Sequence, residues 1–141
     1  MILYSPAKIN IGLHILRKRE DNFHDIISLM YPLPFYDIIE IQADFDKERE
    51  VSFTNSGIIV PGTADSNLCS KAVQLFVNAS GKTAEVKIHL HKLIPFGAGL
   101  GGGSSNASAV LTALNSLSGS QLKRDQLIDL AARLGSDCPL F

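Results

Sequence analysis

Residues 97–107 read Gly-Ala-Gly-Leu-Gly-Gly-Gly-Ser-Ser-Asn-Ala, and five of the eleven glycines in the chain lie between Gly97 and Gly103. Glycine accepts a positive φ and lets a ligand approach the main chain closely. Successive N–H groups of such a loop can point inward at an anion. A helix beginning at Ser104 or Ser105 would add its unpaired N–H groups and the positive end of its dipole. The segment therefore predicts a phosphate-binding loop between a strand and a helix.

Two common phosphate-binding motifs fit this loop poorly. Gly97, Gly99 and Gly102 satisfy the G-x-G-x-x-G dinucleotide fingerprint, but a Rossmann unit would continue into a second strand that ends in an acidic residue. The region after the loop instead has a helical pattern. The P-loop motif needs a lysine directly after its glycines, and none stands there. A lysine that neutralises phosphate charge must therefore come from elsewhere in the chain.

The N-terminal segment has the alternation of a strand. Residues 8–16 switch between polar and apolar side chains, which predicts a strand with one buried face. The predicted buried face carries Ile9, Ile11, Leu13 and Ile15. A charged stretch over residues 17–23 is typical of a hairpin connection.

The rest of the chain is strand-rich before the glycine loop and helix-rich after it. Further strands are predicted at residues 25–33, 37–43, 50–54, 57–60 and 84–90, and helices at 66–79, from Ser104 or Ser105 to about 117, and at 123–134. This order is not a regular alternation of strands and helices. It predicts an α+β domain.

Composition narrows the class of protein. A length of 141 residues suits one domain, and a net charge of −1 argues against a basic nucleic-acid binder or a polybasic membrane anchor. A hydrophobic content of 45% with 19% charged residues argues against disorder. Two cysteines are too few for a disulfide framework. Polar residues near the N-terminus interrupt any signal-peptide core. We therefore expect a soluble, cytoplasmic protein.

Several polar residues have two interpretations on pattern alone. Lys8 lies in a predicted strand on the same face as Asn10, either at a solvent-facing edge or as a desolvated ammonium that orients a hydroxyl or neutralises phosphate. Asp137 is either a turn residue or a general base for a substrate hydroxyl. Asn67 is either a helix cap or a ligand contact. His24 has no second ligand at metal spacing, so a metal site is not expected.

Three segments together resemble the motifs of the GHMP kinases. They are Ser5-Pro-Ala-Lys-Ile-Asn10, Pro95-Phe-Gly-Ala-Gly-Leu-Gly-Gly-Gly-Ser-Ser-Asn-Ala107 and Leu134-Gly-Ser-Asp-Cys-Pro139. The resemblance covers almost the whole chain. The glycine loop is shared by the superfamily, whereas the N-terminal segment with Asp21-Asn-Phe-His24 is similar to the members that act on a cytidine diphosphate ester of methylerythritol.

The resemblance implies a fold and a domain organisation. Residues 1–141 would form the N-terminal ATP-binding domain of a GHMP kinase, with a mixed or antiparallel sheet packed against helices. The second, C-terminal domain of the family, which closes the cleft, is missing from the sequence. The chain is therefore expected to be truncated near the end of its first domain and inactive alone.

The resemblance also implies an activity. It is the ATP- and Mg²⁺-dependent phosphorylation of the 2-hydroxyl of the cytidine diphosphate ester, a step of non-mevalonate isoprenoid synthesis. Asp137 would take the proton from this hydroxyl, and Lys8 would hold Asp137 and the reacting groups in place. The partner would be this small molecule rather than nucleic acid or a membrane, and the protein would be a monomer or a weak homodimer.

Further site residues follow from the resemblance. Those implied to bind the nucleotide are Asn67, Lys92, Pro95, Gly97, Gly99, Gly101, Gly102, Gly103, Ser104 and Ser105. Ser104 or Ser105 would lie near Mg²⁺. The substrate would be held by Asn10, Phe23 and His24, of which the last two would bind cytosine.

The chain departs from the family at some positions. Phe23 stands where tyrosine is common, so stacking would remain but a hydroxyl would be lost. Ala98 replaces a common glycine, so a negative φ is expected there. Two alternatives stay open: another GHMP kinase of the homoserine or mevalonate type, and a non-catalytic nucleotide- or RNA-binding α+β module.

Overall fold

A computed structural model describes residues 1–20, 22, 24–119 and 121–141. The prediction for Phe23 lies outside these described residues. Within the described part, the strands are β1 (Ile2–Lys18), β2 (His24–Asp44), β3 (Glu50–Gly57) and β4 (Glu85–Lys92). The helices are α1 (Leu68–Ser80), α2 (Gly102–Leu117) and α3 (Arg124–Leu134), followed by a 3₁₀ turn at Cys138–Leu140.

The strands form one mixed sheet in the order β1-β2-β4-β3. β2 pairs antiparallel with both β1 and β4, whereas β3 runs parallel to β4. This arrangement, with helices beside the sheet, confirms the predicted α+β class. None of the helices among the described residues is long and apolar enough to cross a membrane.

β2 is one strand where the sequence predicts two. Pro32 and Pro34 do not end β2. The half of β2 that contains them pairs only with β1, because β4 pairs with the other half, Ile38–Asp44. A proline without an N–H is tolerated at such an edge or at a bulge. Pro34 falls at a register shift, between Leu33 and Tyr36, so it takes no part in the ladder.

Three other boundaries also differ from the prediction. Residues 58–60 are not a strand, because β3 ends at Gly57. α1 begins at Leu68, two positions after the predicted start at residue 66, and Asn67 is its N-cap: the Asn67 side chain accepts from the backbone N–H of Cys69 at 2.9 Å. α2 begins at Gly102 behind an N-cap at Gly101, earlier than Ser104, since the glycine needs no side-chain cap in its left-handed conformation.

The predicted buried face of β1 is wrong over its second half. Ile11, Leu13 and Ile15 are 50%, 55% and 64% exposed, respectively. Beyond Asn10, β1 and β2 form a two-stranded ribbon that extends past the rest of the sheet, so no second layer covers it. The buried residues of β1 are instead the small or polar side chains near its start, Ser5, Ala7 and Lys8.

The core lies between one face of the sheet and the helices. Its largest fully buried apolar side chains come from β2, β4, the segment after β4, α1 and α2: Ile39, Ile41, Val86, Ile88, Leu90, Ile94, Val73, Phe76, Val110, Leu111 and Leu114. β4 lies inside the sheet between β2 and β3, and α2 packs against β1 and β2, so the segment that joins β4 to α2 is held at one end of the core. That segment is the glycine loop.

A matched pair of isoleucine variants tests this distribution of the core. We expect Ile39→Ala to lower the free energy of unfolding by about 2–5 kcal/mol, since Ile39 is fully buried. Ile15→Ala should cost less than about 1 kcal/mol, the range of strand propensity at an exposed site. Urea unfolding of the 141-residue chain measures both. Equal losses of unfolding free energy in the two variants would contradict the exposure of this part of the ribbon.

Candidate functional site

The glycine loop presents its main chain to open space. Gly97, Gly99 and Gly101 have positive φ values of 71°, 73° and 69°. Ala98 is not among the positive-φ residues, as the sequence predicts. A Cβ placed on Gly97 or on Gly99 would meet no heavy atom within 4 Å. Left-handed residues alternating with ordinary ones turn successive N–H groups to one side, which makes a concave anion site.

The N-terminus of α2 follows this loop directly. The first N–H groups of an α-helix have no acceptor within the helix and carry its positive dipole end. In α2 these groups belong to Gly102, Gly103 and Ser104, and Gly103 is exposed. Loop and helix together therefore form a cradle for a phosphate group.

β1 meets the far end of the loop at Lys8. The Lys8 backbone N–H donates to the Leu100 carbonyl at 2.8 Å. A Cβ on Gly101 would come within 2.9 Å of the Lys8 Cγ, so only glycine allows this close approach. The aliphatic part of Lys8 is thus packed against the loop, and its ammonium emerges beside it.

The Lys8 ammonium pairs with Asp137. Lys8 is 5% exposed, which excludes the solvent-facing interpretation. Its Nζ donates to Asn10 Oδ1 at 2.5 Å and lies 3.1 Å from Asp137 Oδ2. The Asp137 side chain retains 29% exposure, and it makes no capping bond to the 3₁₀ turn that follows it. The structure therefore brings together Lys8, Asn10 and Asp137, with the carboxylate accessible to a ligand.

Asn10 extends this polar cluster to Ser28 on β2. Asn10 Nδ2 donates to Ser28 Oγ at 2.9 Å, so the amide is held from both sides and presents its oxygen to Lys8. Ser28 belongs to none of the sequence motifs. Ser28 lies two positions along β2 from Met30, the register partner of Asn10, and therefore on the same face of the ribbon; sequence periodicity does not provide this register.

A cavity of about 300 Å³ lies on the other side of the α2 N-terminus. Asn67, Lys92 and Gly103, all predicted to bind the nucleotide, contribute to its wall together with Phe96 and Asn106. Asn67 caps α1 and lines the cavity at once, so its two interpretations are compatible. The exposed Pro95 leads from this cavity into the glycine loop.

The two serines of α2 differ in accessibility. Ser105 is 1% exposed, and its hydroxyl accepts from Ser5 Oγ at 2.7 Å inside the domain. Ser104 is half-buried and lies on the side of Gly135. Of the two, Ser104 therefore has the more accessible hydroxyl. The described residues contain no cluster of three or more His, Cys, Asp or Glu side chains that could hold a metal ion.

His24 lies far from the Lys8–Asp137 pair. It is exposed and pairs with Lys18 near the end of the ribbon, whereas Lys8 pairs with Pro32. Eight positions of β2 separate His24 from Pro32, which is about 26 Å at the usual rise of a strand. The structure does not bring this predicted substrate contact to the others.

A buried polar network beneath the loop was missed by sequence reasoning. Asp37, at the point where β2 enters the core, is fully buried and accepts hydrogen bonds from Lys92 Nζ, Asn106 Nδ2 and two backbone N–H groups. Asn106 also donates to Ser5 Oγ at 3.0 Å. An aspartate between apolar strand residues was the available signal, although its partners lie far away in the sequence.

The cysteines do not supply a nucleophile. Burial raises the pKa of the Cys69 thiol to about 12, and burial also raises the pKa of Cys138. Both thiols are therefore protonated near neutral pH and poorly reactive. The charged pair beside the glycine loop is instead the Lys8 ammonium and the Asp137 carboxylate.

Comparison with known proteins agrees with this geometry. The family model of the GHMP kinases N terminal domain matches residues 67–141, more than half of the chain. A 4-diphosphocytidyl-2-C-methyl-D-erythritol kinase of Cytophaga hutchinsonii is 43% identical over the whole chain, which covers 50% of that protein. A chloroplastic kinase of the same name from Arabidopsis thaliana is 42% identical, with 99% of this chain and 36% of the relative covered.

Solved structures show the same relationship. A crystal structure of 4-(cytidine 5'-diphospho)-2C-methyl-D-erythritol kinase superposes with a TM-score of 0.81 at 35% identity, over 100% of this chain and 48% of the other. A homoserine kinase of Cytophaga hutchinsonii shares the fold, with a TM-score of 0.67 at 19% identity over 94% of this chain and 40% of the other. The chain spans about half the length of the first curated relatives it matches. The matching family model covers the glycine loop and more than half of the chain, and this chain therefore belongs to the family of the GHMP kinase N-terminal domains.

Proposed function

We propose that these 141 residues are the nucleotide-binding part of a kinase that transfers the γ-phosphate of ATP to the 2-hydroxyl of 4-diphosphocytidyl-2-C-methyl-D-erythritol. The observation that carries this proposal is the Lys8–Asp137 pair beside the glycine loop, at 3.1 Å. The relatives that bear this kinase name and match the full length of the chain at about 40% identity support the acceptor.

Phosphoryl transfer needs positioning and charge stabilisation more than covalent chemistry. The N–H groups of the glycine loop and of the α2 N-terminus would bind the phosphate oxygens, and the cavity beside Asn67 would take the nucleoside. Mg²⁺, held in part by Ser104, would supply further neutralisation of the phosphate charge. The loop and helix contacts suit an anion, because they come from main-chain N–H donors.

Asp137 would act on the acceptor hydroxyl. Its carboxylate is accessible and stands next to the loop that would hold the phosphate. It would receive the proton of the hydroxyl as that oxygen attacks phosphorus. Lys8, fixed by Asn10, would keep the carboxylate in place and stabilise negative charge between the two reacting groups.

An assay of three acceptors tests the substrate. The complete protein encoded by the reading frame that contains this chain is given ATP and Mg²⁺ with 4-diphosphocytidyl-2-C-methyl-D-erythritol, homoserine or mevalonate. We expect turnover of the cytidine diphosphate compound to exceed that of the other two by orders of magnitude in kcat/KM. Turnover of homoserine or mevalonate alone would contradict the proposed acceptor but not the proposed kinase activity. Nucleotide binding without any turnover would favour a non-catalytic binding module.

Asp137→Asn tests the proposed base. The amide keeps the shape of the side chain but cannot take a proton, so kcat should fall by about 10²- to 10⁴-fold with little change in KM for ATP. Steady-state kinetics of the complete protein measure both parameters. Asp129→Asn, the same substitution on an exposed face of α3, is the matched control and should leave kcat unchanged. An unaltered kcat in Asp137→Asn would contradict the assigned role.

A further inference from the structure

We propose that Asp37 is a positioning residue for the nucleotide site, and that Lys92 belongs to the same buried clamp instead of donating its charge to the nucleotide. The clamp consists of Asp37, Lys92 and Asn106. This inference rests on the proposed nucleotide site. It assigns a structural role to Asp37 and Lys92, which is to fix both ends of the glycine loop.

Asp37 holds the segment that leads into the loop. Its Oδ1 accepts from the backbone N–H groups of Leu93 and Ile94 at 2.7 and 2.8 Å. These two residues directly follow β4, so one carboxylate oxygen determines the direction in which the chain leaves the sheet. A change of that direction would displace the loop residues that come next.

The other oxygen of Asp37 holds the segment that leaves the loop. Its Oδ2 accepts from Asn106 Nδ2 at 2.9 Å, and Asn106 lies in the first turns of α2. The same oxygen pairs with Lys92 Nζ, which in turn donates to Asn106 Oδ1 at 3.2 Å. The start of α2 and the end of β4 are thus bonded to one side chain, with the loop spanning the gap between them.

Lys92 is enclosed by this arrangement. The residue is 3% exposed, and Asp37 is fully buried. Its ammonium lies against the α2 N-terminus, because a Cβ on Gly102 would come within 2.8 Å of Nζ. A buried ammonium paired with a buried carboxylate leaves no net charge, so the pair attracts phosphate only weakly. Lys92 therefore contributes to the wall of the neighbouring cavity by the volume of its side chain, not by its charge.

Removal of one charge from the pair should disturb the loop, whereas removal of both should not. Asp37→Asn keeps the oxygen that accepts from Leu93 and Ile94 but places an N–H₂ group opposite the donors of Lys92 and Asn106. Lys92→Met keeps the length of the side chain and leaves Asp37 unpaired. In the double variant no buried charge remains, and a half-turn of the Asn106 amide would let its oxygen, which Lys92 no longer occupies, accept from the amide introduced at position 37.

The experiment compares these three variants in the complete protein. The circular dichroism melting curve of each variant gives its melting temperature. Affinity for a fluorescent ATP analogue, KM for ATP and KM for the acceptor are then measured well below that temperature. We expect each single variant to weaken nucleotide affinity by about tenfold or more, since small displacements of a binding loop have effects of this size. KM for the acceptor should stay within about twofold, a split that general destabilisation would not produce.

The double variant decides between the two roles of Lys92. The clamp predicts that Asp37→Asn combined with Lys92→Met restores nucleotide affinity to within about threefold of the parent protein. Affinity that stays as low as in Lys92→Met would overturn the proposal, because it would mean that the ammonium contacts the nucleotide. Unchanged affinity in Asp37→Asn would also overturn it. Asp129→Asn is the matched control for the loss of a carboxylate.

The binding measurement keeps this test separate from that of the proposed function. Nucleotide affinity is read without an acceptor, so the comparison remains valid even if 4-diphosphocytidyl-2-C-methyl-D-erythritol is not phosphorylated. If Asp37→Asn does not fold, the double variant still decides, because it leaves no buried charge without a partner. In that case, near-parental nucleotide affinity in the double variant would support the clamp, and a lower affinity would contradict it.

Discussion

Asp37 accepts four hydrogen bonds in the interior of the domain, and the position of the glycine loop depends on them. A carboxylate removed from water is costly unless donors replace its hydration. Here they come from the segment after β4, from Lys92 and from Asn106 on α2. Gly97 and Gly99 in the loop face open space, whereas Leu100 and Gly101 at its end are held by Lys8 of β1. Its conformation is therefore determined largely from its two ends.

The second constraint is the meeting of distant segments around that loop. β1 brings Lys8 against Gly101 through a main-chain bond to Leu100. The turn after α3 brings Asp137 to the Lys8 ammonium, and it is fixed to α2 by the Ser108 hydroxyl, which donates to the Cys138 carbonyl at 2.7 Å. A base, a cation and a set of phosphate-binding amides thus converge although none is near the others in sequence. Positioning of this kind is what phosphoryl transfer requires of a protein.

Local chemistry made part of this arrangement predictable. The glycines and the helix behind them indicate an anion site, and the motifs around Lys8 and Asp137 link both residues to a known family. Asp37 was not predicted, because its side-chain partners Lys92 and Asn106 are 55 and 69 positions away and no short motif joins them. The ribbon residues Ile11, Leu13 and Ile15 were placed wrongly for a different reason. A period of two shows which side chains share a face, but not whether another layer covers that face.

We infer that the main-chain amides of the loop bind the nucleotide phosphates in a conformation fixed by the buried clamp. Amide NMR spectra of the complete protein, recorded during titration with Mg²⁺ and a non-hydrolysable ATP analogue, test it most directly. We expect the largest chemical-shift changes at saturation at Gly97, Gly99, Gly101 and the first turn of α2, and no change in the ribbon near His24. Saturation that leaves these loop amides unchanged would contradict it.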